Sequence, residues 1–501
     1  MRPPVPHRSA TNERSPNNEY YTLLTGATGL LGRYLLKDLL LAGVRVAVIA
    51  RNSKRQSAAQ RVSDICSFWE TELGRELPRP VCVTGDVRFE DLGLSEVDKK
   101  WIAANCNSCL HNAAILDFRN APADQEPWVT NLQGTKNVVD FCNRSQIKHF
   151  HHVSTAYVCG NRLGTIREDE LDCNQEFRND YERSKFEAEK YVHQAAGFDS
   201  KTTYRPAVIT ADSQNGYTTT YHGLHLYLRL MSLLVPQVEP DENGVRQTKI
   251  RLPMSGDERR NVVTVDWVSS VMTRLYTTPA ALGGTYHVSP DEKLTPRQVI
   301  EACYKYFNSA GVEFCGSSQS KGQELGEFEK NFLTNVGIYN SYDRCDPLFD
   351  NRNMKRFAAD ISCPVIDQTT IHRFLRFGEQ DRWGKRKNQP VPSLFQVTNH
   401  LQSLRDYATA YKSSLPNGDL LNGSYQLGFD IVGLGGGQWH YDGKTDRVKR
   451  GLPRGRGASI VRMTSDSLQK ILNLDESQNG SAPIGFYENL LVDYVDADLH
   501  L

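Results

Sequence analysis

Thr25-Gly26-Ala27-Thr28-Gly29-Leu30-Leu31-Gly32 follows a strand-like run at residues 20–24 and opens an apolar stretch over residues 30–42. A turn with a glycine at every third position, set between a buried strand and a helix N-terminus, lets backbone N–H groups approach a pyrophosphate. The spacing predicts Gly26 in the tight turn, Gly29 at the phosphate and Gly32 against the sheet. Residues 44–50 read VRVAVIA, an almost unbroken apolar run of the kind found in a strand covered on both faces. Outward from these two strands the pattern keeps alternating. Further strands are expected at 81–84, 109–113, 150–158 and 203–210, and helices at 61–73, 128–143 and 181–195. Strand–helix alternation of this kind predicts an α/β fold, a Rossmann-type doubly wound parallel sheet.

The second strand ends Ala50-Arg51-Asn52-Ser53-Lys54-Arg55. A dinucleotide site that selects a free ribose 2′-hydroxyl has an acidic residue here, whereas guanidinium groups pair with a phosphate. Arg51 and Arg55 therefore point to NADPH in preference to NADH. Asp86, with Val87 beside it, follows the third strand and is placed to accept from the adenine amino group. The fifth strand ends Val153-Ser154-Thr155-Ala156-Tyr157, and Tyr181-Glu182-Arg183-Ser184-Lys185 opens a helix. Four-residue spacing puts Tyr181 and Lys185 on one face. An ammonium beside a phenol favours the phenolate and lowers its pKa from a starting value near 10, readying Tyr181 to exchange a proton. Thr155 would orient a substrate oxygen.

Beyond residue 209 the alternation loosens into a polar segment, then a helix at 265–276, a strand at 285–288 and a helix opened by Thr295 as N-cap and Pro296 at its first position. These form a smaller substrate lobe. The expected organisation is a disordered, proline-rich leader over 1–18, a dinucleotide-binding domain with its lobe over 19–312, an irregular connector with short helices over 313–392, and a C-terminal α+β domain over 393–501 with helices at 394–411 and 468–474. At 501 residues the chain is long enough for several domains. Lys+Arg and Asp+Glu both number 59, which gives no overall pull toward nucleic acid or an anionic membrane. No window has the apolar length of a membrane span. Eleven scattered cysteines read as reduced thiols, and the lone Cys106–Cys109 pair has no partner pair to complete a metal site. A cytoplasmic protein is expected.

Taken in order, TGATGLLG (25–32), HNAA (111–114), TNLQGT (130–135), HVSTAYVCG (152–160) and YERSK (181–185) resemble the motif set of the extended short-chain dehydrogenase/reductases, over residues 20–308. The resemblance implies Thr155, Tyr181 and Lys185 as the active trio, with Asn131 supporting the lysine through water. It implies a cofactor site made by Thr25, Gly26, Thr28, Gly29, Leu30, Leu31, Gly32, Arg51, Arg55, Asp86, Val87, Asn112, Ala113, Ala114, Tyr181 and Lys185. Within that superfamily the chain is most similar to thioester reductase and fatty acyl-CoA reductase domains. VSTAYV, the basic Arg51 loop, and Tyr204-Arg205-Pro206-Ala207 leading to Asp212-Ser213-Gln214-Asn215-Gly216 carry this likeness. Ala211 departs from it, standing where the reductases commonly have glycine. GDERRNVVTVDWV (256–268) also fits, with Asp266 and Trp267 near the nucleotide. His222 and His225 fall in the substrate loop, read as surface or core histidines. Residues 428–441, 458–463 and 468–474 are similar to sterol-carrier-protein-type lipid-binding domains. The function implied is hydride transfer from NADPH to an acyl thioester, on coenzyme A or a separate carrier protein, giving aldehyde or alcohol. A nucleotide-sugar epimerase or dehydratase, or a hydroxysteroid-like dehydrogenase, would share the fold and trio. A non-catalytic dinucleotide sensor would lack the tyrosine or the lysine, and both are present.

Overall fold

The structure, a computed structural model, describes residues 20–316, 326, 329–330, 345–386, 404–405, 408, 426–433, 436–453, 458–465, 468 and 493–495. The expected leader lies outside them, as does nearly all of the helices expected at 394–411 and 468–474. In chain order the first half runs β1 (Tyr21–Thr25), α1 (Leu30–Leu41), β2 (Val46–Ala50), α2 (Ala58–Leu73), β3 (Val81–Thr84), α3 (Glu96–Asn105), β4 (Cys106–His111), α4 (Gly134–Arg144), β5 (His149–Val153), β6 (Thr165–Ile166), α5 (Asp180–Gln194) and β7 (Ser200–Pro206). Seven parallel strands form one sheet in the order β11-β7-β5-β4-β1-β2-β3, closed at one edge by β11 (Thr285–Val288). The order reverses between β1 and β4, so a crevice opens beyond their C-terminal ends, where ligands of such sheets bind.

Alternation along VAVIA explains why β2 lies inside. Val46, Val48 and Ala50 face one core with α1 and α2, while Ala47 and Ile49 face the other with α3 and α4. The first core also takes α7 (Val265–Thr277), whose Val268, Val271 and Met272 pack beside α1.

The lobe combines β8 (Val208–Thr210), α6 (Leu224–Leu234), β9 (Arg246–Leu252), β10 (Val262–Thr264), α8 (Pro296–Phe307) and β12 (Ser309–Phe314). Thr295 caps α8 as expected, in a capping box with Gln298 behind Pro296. The expected strand over 203–210 divides at Ala207. Pro206 ends β7 in the large sheet, and β8 turns to pair with β10. β5 also stops short of residue 158, because the Thr155 hydroxyl accepts from Tyr157 N–H at 3.3 Å and caps a short 3-10 turn, Ala156–Cys159.

Within the expected connector, residues 345–386 are described. They supply β13 (Leu348–Phe349), α9 (Arg352–Ala358) and α10 (Gln368–Gln380). Ile371, Phe374 and Leu375 of α10 are buried in the lobe core, and Met354 and Ala358 of α9 join the sheet core. The polar composition of this stretch hid a strongly one-sided helix.

The C-terminal strands β14 (Gln426–Val432), β15 (Gly437–Asp442), β16 (Arg447–Arg450), β17 (Ala458–Thr464) and β18 (Asp493–Val495) make a mixed sheet in the order β16-β15-β14-β17-β18. Leu427, Phe429, Ile431, Val461 and Met463 are buried on one face against Leu404, Ala408 and Leu468, which makes that face a filled core. This sheet sits against β3. Arg79 and Gly433 exchange two backbone hydrogen bonds, at 2.8 and 2.9 Å. Val432 enters the core of the large sheet. No helix among the described residues is long and apolar enough to cross a membrane.

Candidate active site

Gly26 has φ +73°, and a Cβ there would stand 2.6 Å from Ala113 N and 2.7 Å from the Asn112 carbonyl carbon and oxygen, so the β1 turn lies directly against the end of β4. Asn112 Nδ2 donates to Gly26 O at 3.3 Å. Gly32 meets the turn itself, not the sheet as expected: its Cβ would be 2.0 Å from Gly26 O. Gly29 is exposed at the N-terminus of α1, with no side chain capping it. First-turn N–H groups of a helix have no intrahelical acceptor, so this end is open to an anion. Leu30 and Leu31 bury their side chains in the core, which leaves their backbone for that role.

Thr25 is fully buried and ties strand ends together. Its hydroxyl accepts from Asn112 N and Ala113 N at 3.2 and 3.1 Å and contacts His111 Nδ1 at 2.8 Å. The other ring nitrogen is 3.0 Å from Thr135 Oγ1, which itself donates to Asn131 O at 2.6 Å. Donor counting therefore fixes a neutral imidazole protonated on Nε2, and burial, with Lys185 adding to it, pulls the His111 pKa down to about 3.

At the ends of β2 and β3 a cleft of about 470 Å³ is lined by Arg51, Arg61, Arg88, Asn52, Ser53, Thr84, Gly85, Asp86, Phe89 and Gly93. The Asp86 carboxylate is engaged within the cleft. Arg88 holds both oxygens at 2.7–3.1 Å, and Arg51 lies 3.6 Å away. Burial alone would raise the Asp86 pKa, but the Arg88 bonds outweigh it and hold the carboxyl below its usual range. Val87 is buried, its carbonyl accepting from Asn137 at 2.9 Å. Arg55 is exposed in the Ser53–Gln56 turn and does not line the cleft. The spacing rules that found Arg51 missed Arg61, from the first turn of α2, and Arg88, from the loop after β3. Tertiary structure alone brings them together.

Thr155 follows β5, and Tyr181 and Lys185 share a face of α5, whose N-cap Asn179 accepts from Glu182 N–H. Burial, followed by the Glu182 charge, pushes the Tyr181 pKa up to about 12, while contact with the Thr155 hydroxyl opposes the rise. This corrects the expectation of a phenol acidified by Lys185. The ammonium instead donates to Val153 O at 2.7 Å, and burial draws its own pKa down to about 8 against the pull of Glu189. Phe118 meets the Tyr181 ring edge-on at 5.5 Å, and Ile115 and Leu116 beside it are 37% and 41% exposed, an apolar lip at the phenol.

Asn131 lies in a single π-helical turn, Val129–Gln133, ahead of α4, an irregularity frequent at functional sites. Its Oδ1 accepts from Ile115 N at 2.8 Å, and its Nδ2 donates to Ile115 O and to Ser184 Oγ, both at 3.1 Å. The side chain thus clamps the lip to α5 at the neighbour of Lys185, where the resemblance had it serving the lysine through water. Ala114, between Ala113 and the clamped Ile115, lies where the chain leaves the crevice.

The Asp212–Gly216 segment is tied to α1 and α7. Asp212 accepts from Tyr34 OH at 2.8 Å, and Ser213 donates to Asp266 through N–H and hydroxyl at 2.9 and 2.6 Å. Trp267 is buried and donates to Ile361 O. Ala211 is fully buried in the lobe core. His225 is buried with Nδ1 on Thr210 Oγ1 at 3.2 Å.

Residues 24–272 match the male sterility protein family of NAD-binding domains. The nonribosomal peptide synthetase asaC of Aspergillus flavus is 26% identical over 350 residues, covering 66% of this chain and 32% of that one. CG8306 of Drosophila melanogaster, a candidate fatty acyl-CoA reductase, is 34% identical over 160 residues, 29% of this chain and 30% of its own. The chain thus spans about a third of these curated relatives. Among solved structures, the terminal R domain of the myxalamid PKS-NRPS pathway superposes with TM-score 0.57 and 24% identity over 74% of this chain and 93% of that domain. The glycine turn, the β1/β4 crevice and the strand order agree with these matches, and residues 24–272 are a male sterility-type NAD-binding domain on an extended short-chain dehydrogenase/reductase fold.

Proposed function

We propose that the chain is an NADPH-dependent reductase of an acyl thioester, carried on coenzyme A or a separate carrier protein, giving the aldehyde or the alcohol. The match to an NAD-binding family over residues 24–272 supports a carbonyl reductase. The finer reading rests on one observation: the half-buried Tyr181 ring has Phe118 edge-on at 5.5 Å, in the segment that also exposes Ile115 and Leu116. The names of the relatives, a peptide synthetase and a candidate fatty acyl-CoA reductase, point the same way.

The residues fit a dinucleotide. The uncapped N-terminus of α1 and the glycine approach at Gly26 suit its pyrophosphate, and Arg51, Arg61 and Arg88 suit a 2′-phosphate. When bound, the dinucleotide supplies the hydride. At the carbonyl, Tyr181 and Thr155 donate hydrogen bonds to the developing oxyanion. With its pKa raised to about 12, Tyr181 holds its proton at neutral pH, which suits a general acid. Lys185 holds the charge behind it. Ile115, Leu116 and Phe118 exclude water and take the apolar part of the acyl group.

The test is a screen of acyl-CoA chain lengths, following NADPH absorbance and free thiol together. One thiol released per NADPH is expected if the product is the aldehyde, and one per two NADPH if it is the alcohol. Tyr181→Phe should keep NADPH binding by fluorescence and lose about two to four orders of magnitude in turnover. Oxidation of NADPH without thiol release would limit the activity to aldehydes or ketones.

A further inference from the structure

We propose that the buried ion pair Glu189–Arg205 is a positioning device for Thr155 and Lys185, acting on the first through Ser154 and on the second along α5. The proposal rests on the reading of Thr155, Tyr181 and Lys185 given above.

Arg205 of β7 donates to Glu189 Oε1 through Nη2 at 2.6 Å and Nε at 2.9 Å. Ser154 Oγ donates to Glu189 Oε2 at 2.5 Å, and Ser154 N–H donates to Tyr204 O at 2.7 Å. Glu189 is 0%, Arg205 1% and Ser154 4% exposed. Arg205 Nη1 reaches on to Glu168 O at 3.3 Å, anchoring the network in the fold. Ser154 is therefore fixed through both its backbone and its hydroxyl, and the next residue is Thr155.

Glu189 stands one turn beyond Lys185 on the same face of α5. The titratable groups facing Lys185 are His111 from β4, His152 from β5, and Tyr181 and Glu189 from its own helix, and Glu189 is itself faced by Arg205 of β7 and by His193 of α5, whose Nε2 is 3.5 Å away. Burial keeps His111 and His152 neutral, their pKa values pulled well below the usual range, and raises the phenol. Glu189 is then the facing charge that favours the ammonium over the neutral amine.

Holding β5, α5 and β7 together does not require a salt bridge. A buried pair repays its desolvation poorly, and apolar residues of similar volume hold a fold as well or better. Two tasks are beyond apolar residues: gripping the Ser154 hydroxyl in one geometry, and placing a negative charge beneath Lys185.

The double variant Glu189→Leu/Arg205→Met, in the full chain, removes both charges at similar volume. A cooperative melt and NADPH affinity within about threefold of the parent are expected, because replacing both partners leaves no unpaired buried charge. At pH 7, kcat should fall about tenfold to a hundredfold, the usual effect of a small misplacement of reacting groups, with KM for NADPH unchanged. Lys185 should lose its proton at lower pH, moving the alkaline limb of kcat down by about one unit. Ser154→Ala, which leaves the pair intact, should lower kcat and leave that limb in place. Glu189→Asp should restore the limb toward the parent. A double variant with parental kcat and pH profile overturns the proposal. If the double variant does not fold, parental kcat in Ser154→Ala overturns it, and a lowered kcat there upholds it. Should Tyr181→Phe itself retain full turnover, the reading beneath the proposal falls, and the proposal with it.

Discussion

Three guanidinium groups and one carboxylate share the cleft at the ends of β2 and β3, so its net charge is positive even with Asp86 ionised. Arg88 donates through Nε and Nη2 to both oxygens of Asp86, whereas Arg51 is 57% exposed and 3.6 Å from that carboxylate, free to swing to a phosphate. Arg61 has Arg51 and Arg33 as charged neighbours, and burial with their repulsion lowers its pKa; a bound dianion would relieve that repulsion. Arg51→Glu and Arg61→Ala should each weaken NADPH binding by about ten- to a hundredfold, the worth of a charge-assisted phosphate contact, while NADH changes by less than about threefold. Titration of both cofactors by fluorescence checks this, and equal losses would place the arginines on a part common to the two nucleotides. Arg51 was legible in the sequence because it directly follows a recognisable strand. Arg61 and Arg88 were not, since nothing in their spacing says that a helix and a loop will converge on it. The same limit applies to Tyr181. Its helical partner Lys185 could be read from spacing, but the burial that decides the proton is a property of the packed site.

Among elements, the β1–α1 turn separates two kinds of glycine. A Cβ at Gly29 finds its nearest neighbour at 3.5 Å, an ordinary contact, while one at Gly32 meets a backbone oxygen at 2.0 Å. Gly29→Ala should therefore leave the urea midpoint near the parent's, within about 0.5 kcal/mol, yet lose cofactor affinity because a methyl then projects where the pyrophosphate approaches. Gly32→Ala should lose both, with about 1–3 kcal/mol of stability gone through overpacking. Two parental midpoints would show that α1 can shift freely, contrary to the close turn. The large sheet was readable because its strands are apolar on both faces and its helices keep a 3.6-residue period. The lobe was not. β6 and β13 are two residues long, β8 leaves the line of β7 at Ala207, and α10 shows its apolar stripe only once Phe374 and Leu375 are seen packed in the lobe.

At the scale of the whole molecule, the C-terminal sheet was expected to fold by itself, and the structure joins it to the edge of the nucleotide half. Arg462 pairs with Asp430 at 2.9 Å, lies over the Trp101 ring at 5.3 Å and reaches Cys82 O at 3.5 Å. The glycine-rich stretch that suggested a lipid-binding fold has a local purpose here: Gly433 takes φ +99°, and a Cβ on Gly436 would stand 3.0 Å from Arg79 Cβ. Arg462→Met should strand the Asp430 carboxylate in a buried site and cost about 3–5 kcal/mol. Differential scanning calorimetry should show the C-terminal sheet and the nucleotide half losing stability together in one transition. A shifted C-terminal transition beside an unmoved main one would mean two independent units. This seam also bears on synthesis. Cys82 and Arg462 are 380 positions apart, so at about 5–20 residues per second the edge of β3 leaves the ribosome about 20–80 s before its cover exists. During that interval the Arg79 backbone, the Cys82 carbonyl and the Trp101 face that Arg462 covers lack their later partners, leaving this edge open to chaperones and to neighbouring chains on the same message.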